Sequence, residues 1–95
     1  MAKATHAREV RGFTDIPSVG RAMAEDFRQL GLRNPQELAG QDALSLYRQL
    51  CALTKTRQDL CVLDTFLAVV DFMDGGTAQP WWAFTAGRKK RCSDL

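Results

Sequence analysis

Apolar residues recur along this chain at spacings of three and four, and no stretch of useful length alternates apolar with polar, a pattern that favours helices and leaves no sheet to build. From Val19 the apolar positions Met23, Phe27 and Leu30 follow at intervals of four, four and three, the stripe of an amphipathic helix that Gly31 ends. Asn34-Pro35-Gln36-Glu37 offers a capping side chain, a proline at the first helical position and a glutamate at the third, which predicts a short helix to about Gly40. Asp42 is placed to cap another helix that buries Leu46, Tyr47 and Leu50. Asp59 is placed to cap the longest, where Leu63, Phe66, Leu67, Val70 and Met73 leave little polar face before Gly75-Gly76, so this helix is expected at the centre.

With 95 residues there is material for one core, and 45% hydrophobic with 25% charged residues is an ordinary globular mixture. A net charge of +2 implies no particular partner, but its distribution is uneven. Residues 1–33 carry six basic and four acidic side chains, residues 34–74 three and six, and the stretch from Arg88 onward four and one. No apolar run reaches the roughly 18 residues of a membrane span, and the first residues lack a signal-peptide core, which predicts a cytoplasmic protein. Cys51, Cys61 and Cys92 are an odd number without paired spacing, so reduced thiols are expected, and whether Cys51 and Cys61 approach each other is a question of geometry.

Towards the C-terminus, Pro80-Trp81-Trp82-Ala83-Phe84 is an aromatic cluster. Such rings can stack on bases, but a domain this small needs apolar mass, and a lid folded back on the core is the expectation. The run Gly87-Arg88-Lys89-Lys90-Arg91 has nothing to bury. The resulting division is a flexible N-terminus over 1–7, a domain over 8–86 and a mobile basic tail over 87–95.

The most informative stretch is Ile16-Pro17-Ser18-Val19-Gly20-Arg21, leading into Ala24 and Phe27. Pro17 fixes the entry to a tight turn, Val19 can enter the core, and Gly20 permits close backbone approach where a helix begins. The N–H groups of Ser18, Val19 and Gly20 would face a helix N-terminus, where a phosphate oxygen is held by unsatisfied donors and the helix dipole, with Arg21 adding a charge-assisted contact. This resembles the helix-hairpin-helix motif, which reads Gly-hydrophobic-Gly with a small residue four positions on, here Ala24; Ser18 replaces the first glycine. A second hairpin is expected around Lys55-Thr56-Arg57, which has no glycine but keeps two cations and a hydroxyl.

The whole chain is similar to small bacterial helix-hairpin-helix proteins of the pathogenicity-locus, or mitomycin-resistance-like, family. The likeness rests on Ile16-Pro17-x-Val19-Gly20, Leu30-Gly31-Leu32-Arg33, Gly40-Gln41-Asp42, Leu50-Cys51, Asp59-x-Cys61-Val62-Leu63 and Trp81-Trp82, and departs at Asp64-Thr65, where an aromatic is usual. The resemblance implies an all-α, compact five-helix paired helix-hairpin-helix (SAM-like) domain and says little of activity.

Two thiols and one loosely held His6 make no zinc site, and no cofactor is expected. Asp64, Asp71 and Asp74 share a helical face but have no His, nucleophile or nucleotide loop beside them, so a solvated acidic face is expected and no enzyme. The expected function is sequence-independent DNA binding through Ser18, Val19, Gly20 and Arg21, with Lys55, Thr56 and Arg57 following a second phosphate. The alternative is a protein-interaction module on the same scaffold, favoured by the acidic middle and the missing hairpin glycines.

Overall fold

The computed structural model describes residues 3–92. Among these residues there are four α-helices and no strand: α1 Arg21–Gln29, α2 Ala43–Thr54, α3 Leu60–Met73 and α4 Thr85–Arg91, with short 3-10 turns at Ala7–Glu9, Phe13–Asp15, Pro35–Leu38 and Trp81–Phe84. The expected five helices are thereby corrected to four. Between Pro35 and Gly40 the chain makes only one 3-10 turn: the Ala39 N–H donates to the Gln36 carbonyl (3.2 Å) and Gly40, at φ +79°, redirects the backbone before an α-helix can nucleate. The segment before the expected hairpin is likewise a single 3-10 turn, Phe13–Asp15, in place of a helix.

The caps read from sequence form as chemistry dictates. The Asp42 carboxylate accepts the Leu44 N–H (3.1 Å) and the Asp59 carboxylate the Cys61 N–H (3.0 Å). At the other ends the left-handed Gly31 and Gly75 release the chain from α1 and α3, and the Leu32 and Gly76 N–H groups reach back to the Phe27 and Asp71 carbonyls. α3 is the central helix, with Leu63, Phe66, Val69, Val70, Phe72 and Met73 all buried. Phe13, Phe27 and Phe66 stack in a tilted row, their centroids 5.4 and 5.3 Å apart, and tie the 3-10 turn before the hairpin to α1 and α3.

Three expectations are corrected here. Asp64 is not part of a solvated face; it is fully buried, and its carboxylate accepts from Arg88 Nε (2.9 Å), Arg88 Nη2 (3.2 Å) and the Thr85 hydroxyl (2.8 Å). The basic run is therefore not a tail with nothing to bury: Arg88 is its buried member, and the run forms α4 on the flank of α3, while positions 93–95 of the expected tail lie outside the described residues. The Trp81–Phe84 turn does fold back on α3, as a lid would, but leaves one ring largely in solvent. Half-buried Phe84 lies beside Leu67 and Val70, whereas Trp81 and Trp82 remain 36% and 64% exposed. The N-terminus is also tied down within its described part, because the Ala4 N–H donates to the Asp15 carbonyl (2.9 Å). No helix among the described residues is long and apolar enough to cross a membrane.

Candidate nucleic-acid interface

Ile16 and Val19 are both buried, and between them Pro17 and Ser18 make a tight turn closed by the Val19 N–H donating to the Ile16 carbonyl (3.1 Å). With proline second and a left-handed residue third, Ser18 at φ +73°, the turn is of type II. This corrects the expected donor set, since the Val19 N–H already has its acceptor. The exposed Ser18 is there to turn the chain, in the conformation a glycine adopts most readily.

The chain then enters α1 through Gly20, whose backbone (φ −97°, ψ −173°) is extended and open to any residue. A Cβ at Gly20 would meet nothing within 4 Å, so neither conformation nor internal packing requires glycine there. No side chain caps α1. Among the described residues, the N–H groups of Gly20, Arg21, Ala22 and Met23 have no acceptor, and the first three residues are exposed. α2 and α3 differ, because their own Asp42 and Asp59 carboxylates each accept a first-turn N–H, that of Leu44 and of Cys61. Arg21 is exposed at the start of the open turn.

Lys3 is a component that sequence reading missed. Its ammonium donates to the Val19 carbonyl (2.6 Å) and to the Thr14 carbonyl, bringing a cation against the Pro17–Ser18 turn. Sequence spacing holds no signal for a contact made 16 positions away. The turn before the hairpin is braced by Asp15, whose carboxylate accepts from the Gly12 and Arg11 N–H groups (3.0 Å each); these bonds hold its ionisation below the ordinary carboxylate range.

The second expected hairpin is built differently. Lys55 ends α2 in the left-handed region (φ +54°), and the Thr56 N–H returns to the Cys51 carbonyl (3.1 Å), a C-terminal cap without glycine. The Thr56 hydroxyl donates to the Thr54 carbonyl (3.2 Å). Asp59 fills the N-terminus of α3, and the Cys61 N–H bond lowers its ionisation. The loop thus presents Lys55 and Arg57 as exposed cations beside a helix start that already holds a carboxylate of its own. Behind it Tyr47 donates to the Gln58 carbonyl, and burial pushes its hydroxyl's ionisation up. Cys51 accepts from the Gln58 N–H (3.4 Å), and Cys51, Cys61 and Cys92 are all free thiols.

At the C-terminal end of α3 the Asp74 carboxylate is also tied into the structure, accepting the Gly40 N–H (2.6 Å). Among the described residues, no three His, Cys, Asp or Glu side chains come together as a metal site would require.

Residues 6–90 match the model of the Cdd1 family, described as "Pathogenicity locus". The chain is also similar to the mitomycin resistance protein McrB of Streptomyces lavendulae, with 36% identity over 77 residues, covering 81% of this chain and 73% of that protein. No solved structure matches it.

Proposed function

This chain belongs to the pathogenicity-locus, mitomycin-resistance-like family, and within that family we propose that it acts as a helix-hairpin-helix module, not an enzyme, that binds DNA backbone without reading sequence. One phosphate oxygen is taken by the N–H groups of Gly20, Arg21 and Ala22, with the Arg21 guanidinium beside it and the Lys3 ammonium behind the turn. The single observation that carries this reading is the contrast between helices: α2 and α3 each bond a first-turn N–H with their own capping carboxylate, which also places a negative charge at the helix start, whereas α1 has no such cap and leaves its donors open beneath a glycine that nothing inside the protein requires. Contacts of this kind position backbone and carry no base information. Lys55 and Arg57 supply a second, side-chain contact to the same duplex.

The test uses labelled duplex DNA titrated at low and moderate salt. Wild type binds at low salt and weakens steeply as salt rises, as expected when phosphate counterions are released. Arg21→Glu lowers the affinity about tenfold, the loss of roughly one charge-assisted contact. Gly20→Asp gives the sharper result: the new carboxylate caps α1, so stability is kept or gains a few tenths of a kcal/mol, while the donors needed by phosphate become occupied and binding is lost. Undiminished binding by Gly20→Asp would exclude the α1 site. Absence of wild-type binding even at low salt would remove the DNA reading and leave the protein-interaction module.

A further inference from the structure

We infer that the exposed Trp81–Trp82 pair and the outward lysines of α4 form a second nucleic-acid surface, which stacks unpaired bases of a single strand while Lys89 and Lys90 follow its phosphates. The two rings meet edge to face, at 84° with centroids 5.5 Å apart, so each braces the other and Trp82 keeps 64% of its surface in solvent. Their support is fixed at both ends. Pro80 starts the 3-10 turn, closed by the Ala83 N–H on the Pro80 carbonyl (3.1 Å), and the turn runs without interruption into α4, which Thr85 and Arg88 fasten to buried Asp64.

With those two residues directed inward, the outward side of the same helical run carries Trp82, Ala86, Lys89 and Lys90, all exposed. At about 2.0 Å of rise per residue in the 3-10 turn and about 1.5 Å in α4, the backbone of the first lysine lies about 12 Å along from that of Trp82. Arg91 lines a cavity with Asp42, Asp71 and Asp74 on the flank towards α2 and α3, and Arg88 is paired with Asp64, so Lys89 and Lys90 carry the charge on the side of Trp82. No acidic residue occurs between Gly75 and Cys92.

This combination selects the occupant. The other exposed residues of this run are Ala83, Ala86, Lys89, Lys90 and Arg91, without the aliphatic side chains that fill out a protein-binding groove, and a second copy of the chain would set lysines against lysines. A strand with flat bases and an anionic backbone satisfies both halves of the surface. A duplex hides its base faces, so the ligand is unpaired nucleic acid. None of these residues belongs to the α1 hairpin, and the inference holds or fails apart from that site.

Trp81 and Trp82 are the only tryptophans in the chain, so its indole emission reports this surface alone. The full chain is titrated at low salt with an oligothymidylate of about 12 nucleotides, within the span such surfaces usually cover, followed by emission and by anisotropy of a labelled strand. The expected result is saturable quenching. Trp82→Ala, at a position too exposed to leave a cavity, should weaken binding about ten- to hundredfold, with most of it restored in Trp82→Phe. Lys89→Gln with Lys90→Gln should flatten the salt dependence. Quenching arises only where the strand covers the rings, so it separates this surface from the hairpin, whose phosphate contacts leave the two indoles unchanged. Absence of quenching, equal affinity in Trp82→Ala, or an emission shift that follows protein concentration alone because a second copy covers the rings, would each overturn the assignment.

Discussion

Ser18 and Lys55 are the only non-glycine residues with positive φ among the described residues, and each stands at the turn of one of the two hairpins read from sequence. That coincidence gives physical content to the missing glycines. At Ser18 the conformation costs an L-residue roughly 1–2 kcal/mol, against the 0.5–1 kcal/mol of extra chain entropy that a glycine would lose on folding. Ser18→Gly is therefore expected to stabilise the protein by about 0.5–1 kcal/mol, seen as a higher urea midpoint with an unchanged slope. A lower midpoint would mean that the serine side chain makes a stabilising contact outweighing its backbone strain. Sequence reading recognised the turn and Gly20 because proline and glycine punctuate a chain visibly. It misplaced the donor at Val19, since which N–H closes a turn depends on dihedral angles that residue identity does not specify.

At the scale of elements, the caps and stripes of α1, α2 and α3 were legible because their signals are local: a capping side chain, an apolar period and a terminating glycine. α4 was not, because a run of four cations resembles a solvated segment unless its acidic partner is known, and that partner lies 24 positions earlier. One clue was present in the sequence: Asp64-Thr65 interrupts an otherwise apolar stretch of helix. A carboxylate at such a position requires a cation, and Arg88 provides it in a two-pronged pair. Removing Arg88 leaves Asp64 buried and unpaired, so Arg88→Ala is expected to cost about 3–5 kcal/mol and to free α4 from α3. The double variant Asp64→Leu with Arg88→Met should recover much of that loss in chemical denaturation, because it leaves no buried charge. If Arg88→Ala cost no more than a surface substitution, the pair would have no structural role. For the same reason, shortening the chain before Arg88 confounds any test of DNA binding, and charge on this helix is better probed at Lys89 and Lys90.

Across the whole molecule, the ends are held to the core by carboxylates and backbone donors that sequence patterns do not reveal. Glu9 accepts from the Thr5 hydroxyl (2.7 Å) and from the Thr5 and His6 N–H groups (2.9 Å each), Asp15 closes the turn before the hairpin, and Asp59 caps α3. In each case the hydrogen bonds favour the ionised form and lower the group's ionisation in the folded state. A carboxylate with a depressed folded value contributes stability above its unfolded value, near 4, and that contribution disappears as pH falls through the folded value. Asp26 acts in the opposite sense: burial, with Glu25 beside it, raises its ionisation, so acid relieves the cost of burying its charge. Three groups against one predict a net loss of stability below about pH 4, beginning in the N-terminal turns that frame the hairpin. Thermal unfolding followed from pH 7 to pH 3 should show Tm falling in wild type, and a shallower fall in the combined variant Glu9→Gln, Asp15→Asn, Asp59→Asn. Asp26→Asn should raise Tm at pH 7 and lose that advantage in acid, once the wild-type carboxyl is protonated as well. Identical acid slopes in wild type and the triple variant would show that these bonds do not couple protonation to folding.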